Sequence, residues 1–132
     1  MSRVSVKKKV TAVKTKRGEF ALRVRIIVRA KADLENVMIV DSIPQTVKIY
    51  KKFGLTVPDE IDVVHRKLKW NAGDLRMGEE RVYSYVVYSR VGFLGKFVLP
   101  SATAHYTFNE RDRKEDSGDS TYTSDARLER AE

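Results

Sequence analysis

The amino-acid sequence predicts an all-β protein, an antiparallel β-sandwich of about seven or eight strands. Apolar and polar residues alternate with the two-residue period of strands. Gly, Pro, Asn and Asp punctuate the chain at roughly the 8–12-residue spacing of sandwich strands. No stretch before residue 124 carries a helical period with caps. The chain has 132 residues, which allows one domain of ordinary size with a true hydrophobic core.

The elements follow in order. Val4, Val6, Val10 and Ala12 beat against Lys7 and Lys9, and Lys8 breaks the pattern. Lys16-Arg17-Gly18-Glu19 reads as a hairpin turn, with Gly18 supplying a positive φ. Phe20, Leu22, Val24, Ile26, Val28 and Ala30 then share one face, opposite Arg23, Arg25, Arg29 and Lys31. Such a strand has one face in a core and one in water.

Further strands are expected at 37–42, 47–51, 61–70, 80–89, 97–108 and, briefly, near 120–124. On 61–70, Val64, Leu68 and Trp70 are placed on one face and His65, Lys67 and Lys69 on the other. On 80–89 the inward row is Tyr83, Tyr85 and Val87, and the outer row of Val82, Val86 and Tyr88 is apolar too. A strand apolar on both faces is central, or meets a partner. Ala102, Ala104 and Tyr106 alternate with Thr103, His105 and Thr107; small residues beside large ones suit two sheets about 10 Å apart. The domain is set at 1–124, and 125–132 is read as a polar C-terminal tail.

Composition narrows the function classes. Cys is absent, which excludes disulfides, zinc–thiolate sites and cysteine nucleophiles. No apolar run approaches the ~20 residues of a membrane span, and the basic start lacks the apolar segment of a signal peptide. His65 and His105 fall on the polar rows of their strands, the ordinary place for surface residues. No phosphate loop, dinucleotide fingerprint or nucleophile elbow occurs. The stretch from Glu110 to Asp119 resembles a calcium loop in its Asp and Gly content, but Arg111, Arg113 and Lys114 fall among the ligands; it reads as a polar hairpin loop. No catalytic residue, metal site or cofactor is expected, so the chain is read as a non-enzyme.

The formal charge of +8 is uneven. Residues 1–31 hold eleven Lys and Arg against Glu19 alone, a balance of +10 that leaves −2 for the rest. Lys7, Lys9, Arg23, Arg25, Arg29 and Lys31 are candidates for an anion-binding row on one sheet face. Base stacking needs exposed rings that this row lacks, so nucleic acid is disfavoured as its ligand. Phe53, Leu55, Phe93 and Leu94, in loops beside Gly, are candidates for protein contact or for capping the sandwich ends.

The order of motifs adds a resemblance. Asn36-Val-Met-Ile-Val-Asp41-Ser-Ile-Pro44 is followed by Leu68-Lys-Trp70-Asn-Ala-Gly73-Asp-Leu75-Arg-Met-Gly78-Glu79, then Val82-Tyr-Ser-Tyr85-Val and Ala102-Thr-Ala104-His-Tyr106. Over roughly residues 10–124 this resembles the immunoglobulin-like repeat domains of archaeal and bacterial cell-surface proteins. That family is of unknown function, and the bacterial cell-adhesion-related domain is its neighbour. The resemblance implies an immunoglobulin-like sandwich with Trp70 plugging the core, Gly73 and Gly78 turning the chain and Leu75 covering one end. It also implies a module of a longer surface or membrane-associated protein, with a protein partner or neighbouring domain; cytoplasmic residence is the alternative. The basic first half departs from relatives that are acidic or neutral.

Overall fold

The computed structural model describes residues 3–14, 20–44, 47–49, 57–89, 96–117 and 120–123. Eleven strands are defined within them: β1 (Val4–Lys14), β2 (Phe20–Ala30), β3 (Leu34–Ser42), β4 (Lys48–Ile49), β5 (Glu60–Asp62), β6 (Lys67–Leu75), β7 (Glu80–Ser89), β8 (Lys96–Leu99), β9 (Ala102–Phe108), β10 (Arg111–Asp116) and β11 (Ser120–Thr123). No helix occurs among the described residues.

The strands form two antiparallel sheets, β1-β2-β7-β4 and β10-β9-β3-β6-β5, with β8 and β11 as a separate two-stranded ribbon. β1, β2, β7 and β4 take the A-B-E-D order of an immunoglobulin-type sheet, and β3, β9 and β10 take the C-F-G order. β6 and β5 widen the second sheet beyond β3. The fold is an antiparallel β-sandwich, as the alternation predicts.

Its core is the set of inward positions. Leu22, Val24, Ile26 and Val28 of β2 face Ile39 of β3, Leu68 and Trp70 of β6 and Ala102 and Ala104 of β9, all buried. Trp70 is 1% exposed and crosses the interlayer space to two tyrosines of β7. Its ring lies 5.4 Å from that of Tyr83 and 6.2 Å from that of Tyr85, centroid to centroid. The alanines of β9 leave room for this bulk, the small-beside-large arrangement that keeps an interior at crystal-like density. Leu75 is buried where β6 ends.

Four local expectations are corrected. Residues 61–70 are two strands joined by a turn at 63–66, and Val64 is 85% exposed. The Asp62 carboxylate accepts the His65 amide and so closes the turn. Asn71–Asp74 continues β6 and does not end it. Here Gly73, with φ +70°, sits opposite a bulge at Asn36 in β3, where φ is +53°. The expected strand 97–108 breaks at Pro100, whose missing N–H cannot continue a ladder, so β8 and β9 join different partners. Residues 111–116, expected in a loop, form edge strand β10; its Arg-Asp-Arg-Lys-Glu-Asp sequence supplies the charge that keeps a free edge from pairing with other chains. The tail 125–132 and the turn at Gly18 lie outside the described residues.

Candidate functional site

Alternation along β1 sends Lys8 inward between Lys7 and Lys9. It pairs with Ile26 across the ladder to β2, and its side chain is fully buried. Its ammonium donates to Asp41 Oδ1 at 2.7 Å and to the Pro100 carbonyl at 2.6 Å. Asp41 comes from β3 in the facing sheet, and its other carboxylate oxygen accepts the Tyr85 hydroxyl of β7. Asp41 Oδ1 also accepts the Ser42 amide at 3.0 Å. A cation, a carboxylate and a phenol therefore lock the two layers together.

Burial pushes the Asp41 carboxyl above the usual carboxylate range, against the opposing pull of Lys8 and the hydrogen bonds it accepts. Burial, with the Asp41 charge and hydrogen bond beside it, pushes the Tyr85 phenol well above its ordinary value. These groups are chemically strong but sealed from substrate; Asp41 has 0% of its surface exposed. The sequence signal for this cluster was the break in alternation at Lys8 and the carboxylate inside Val37-Met-Ile-Val-Asp41.

The outer face of the same sheet is different. Cross-strand register sets Lys7 beside Ile27 and Val82, Lys9 beside Arg25 and Ser84, Thr11 beside Arg23 and Val86, and Ser5 beside Arg29 and Glu80. Lys7, Lys9, Arg23, Arg25 and Arg29 are all exposed on this face. Lys31 is exposed but lies one residue beyond β2, its amide bonded to the Arg3 carbonyl. Five of the six candidate cations are thus gathered, and Lys48, opposite Tyr88, extends the face toward β4. Lys9 and Arg25 stand directly opposite each other, a like-charge pairing that disfavours the sheet.

Phe53, Leu55, Phe93 and Leu94 lie outside the described residues. His105 is exposed on the outer side of β9, and His65 is 70% exposed and hydrogen-bonds Asp62 through Nδ1 at 2.8 Å. The His65 amide first, and its ring second, hold the Asp62 carboxyl below the usual range. Among the described residues no group of three or more His, Asp or Glu is placed to hold a metal ion.

Two concavities mark opposite ends of the sandwich. At the end where β3 finishes, a groove of about 270 Å³ runs between the β4 and β5 edges, lined by Lys48, Ile49, Ile61, Val63 and Lys67 among others. At the end where β9 finishes, a hollow of about 430 Å³ is lined by Asp33, Glu35, Thr107, Phe108, Asn109 and Glu110.

No family model matches the chain, and no curated protein matches it. Among solved structures, it is similar to an inactive mutant of the GH20 exo-β-N-acetylglucosaminidase from Vibrio harveyi. There the TM-score is 0.56 and the identity 12%, over 87% of this chain and 17% of that one. The same enzyme in complex with N-acetylglucosamine matches with a TM-score of 0.49, 12% identity and the same coverage. The chain therefore spans about a sixth of the length of these enzymes. At this identity the likeness speaks for the fold alone.

Proposed function

We propose that the chain is a non-catalytic interaction module that presents the outer face of the β1-β2-β7 sheet to an acidic partner protein. The observation that carries this reading is the facing of Lys9 and Arg25, with Lys7, Arg23 and Arg29 around them. Among the described residues in register on that face, Glu80 is the only carboxylate. Like charges set opposite each other cost sheet stability, so folding gives no reason to gather them. Ile27 and Val82, interleaved with the cations, supply the apolar contact that a protein interface needs at its centre. The non-catalytic part is supported by the sealing of Lys8, Asp41 and Tyr85, the polar cluster inside the core, away from solvent.

The resemblance to surface-protein repeats supports a place in a longer surface or membrane-associated protein, where such a sandwich also acts as a spacer. A second reading, an anion-binding module for nucleic acid, acidic glycan or lipid headgroups, draws on the same cation row. Retention on heparin and on duplex DNA across a salt gradient separates the two. A polyanion site gives retention that falls steeply with salt and by about one slope unit for each cation removed. A protein-docking face gives weak retention on both columns, gone well below about 0.5 M salt. Retention unchanged in Arg25→Glu sinks both.

A further inference from the structure

The turn at 63–66 sets two adjacent valines at its tip, Val63 78% and Val64 85% exposed. Turns favour Gly, Pro, Asn, Asp and Ser, and a β-branched pair there adds nothing to the local fold. Yet the turn is rigidly held. Asp62 accepts the His65 amide at 3.0 Å, and the Arg66 guanidinium donates to the carbonyls of Pro44 at 2.9 Å and Val47 at 2.6 Å. A fixed, convex apolar tip keeps the ordering cost of docking low. Lys48 and Lys67 stand in the groove at its base.

The opposite end of the sandwich is its counterpart in shape and sign. Pairing of Ser42 with Lys67 puts the valine turn where β3 ends, whereas pairing of Glu35 with Thr107 puts the Phe108 hollow where β3 begins. The hollow is concave, and its lining carries the carboxylates of Asp33, Glu35 and Glu110. Arg3 and Arg113 lie against the Phe108 ring, at 4.3 and 5.8 Å from its centroid. Met77, 70% exposed, adds apolar surface nearby, its amide bonded to Asp33.

We propose that the Val63-Val64 turn of one copy seats in the Phe108 hollow of a second copy, joining domains head to tail. Lys48 and Lys67 of the first copy meet Glu35 and Glu110 of the second. The two surfaces differ, so the contact is heterologous and propagates along a row of domains without closing on itself. It touches the basic sheet face only at Lys48, on its margin, and does not depend on the function proposed above. Interfaces this small are weak between free molecules and become effective when a linker holds neighbours at about millimolar local concentration.

Sedimentation of the full chain from about 20 µM to about 1 mM tests this, the upper limit matching that local concentration. The weight-average mass should climb with concentration and drop in about 0.5 M salt. Val63→Asp/Val64→Asp and Glu35→Lys/Glu110→Lys should each stay monomeric, with tryptophan emission unchanged. Val63→Ser/Val64→Ser serves as a milder version of the first pair. An equimolar mixture of the two double variants retains one intact turn and one intact hollow, so it should form a dimer and stop there. A monomeric wild type at the highest concentration overturns the proposal. So does association that survives either double variant, or a mixture that stays monomeric. Heparin retention of Val63→Ser/Val64→Ser, which leaves the net charge unchanged, stays at the wild-type level, which keeps this test separate from that of the basic face.

Discussion

Lys7, Lys8 and Lys9 are consecutive in β1, yet they sit in two electrostatic worlds. The outer pair keeps its hydration, and its neighbours across the ladder are Ile27 and Arg25. The middle one has given up water entirely for Asp41 and the Pro100 carbonyl. Attraction between charges is several-fold stronger in a protein interior than in water, and so is the cost of leaving either one alone. Lys8→Met by itself strands the Asp41 carboxylate and should lower unfolding free energy by about 3–5 kcal/mol. Lys8→Met/Asp41→Leu removes both charges and should recover most of that loss in urea denaturation. If the double variant is as unstable as the single one, the penalty comes from lost packing and the comparison fails.

The pH dependence of the single variant sharpens the point. Burial raises the Asp41 carboxyl in the folded state, so the fold holds a proton there to higher pH than the unfolded chain does. Stability then falls as pH rises from the ordinary carboxylate range through the raised value. Without Lys8 the opposing pull is gone, and the deficit of Lys8→Met should shrink on acidification. The half-buried Asp62 behaves oppositely. Its carboxyl is held low, so its contribution is present above the ordinary carboxylate value and fades as pH falls through the lowered one. A smaller effect attends Tyr85→Phe, which removes the donor to Asp41 and leaves the ring against Trp70. A loss of about 1–3 kcal/mol is expected, the cost of one unsatisfied buried acceptor. A neutral result would show Asp41 content with Lys8 and Ser42.

The sandwich was legible because alternation is a local consequence of strand geometry. Val24, Ile26 and Val28 announce their inward direction within five residues. Trp70 was legible for the same reason, standing two residues after Leu68. What alternation does not encode is the partner. Nothing near Lys8 names Asp41, 33 positions away, or Pro100, 92 away. A lysine on an inward position reads as an error in the pattern until the facing sheet supplies the carboxylate. The turn at 63–66 was missed because Val63 and Val64 have strand propensity. The Asp62 side chain and the left-handed Arg66, with φ +54°, override it. The cation row was legible through pairing of β1 with β2, but Lys31 was not kept out, since parity alone does not mark where β2 stops.

The smallest expected effect on stability is at Lys7 and Lys9, and it discriminates function most cleanly. Both side chains point into water and make no buried contact that substitution would orphan. Lys9→Ser relieves the repulsion from Arg25, so its effect should lie within about 0.5 kcal/mol and tend toward stabilisation. Lys7→Ser should be neutral within the same range. If the cations serve folding or solubility alone, retention on heparin will track net charge. Lys7→Ser/Lys9→Ser will then lose no more than removal of Lys114 and Arg111 from β10, which belongs to the other sheet. If they form one docking surface, the β1 pair will lose retention well beyond that matched control, while the thermal midpoint stays put. Charge removal at equal count but different place tells a surface that binds from a surface that is merely charged.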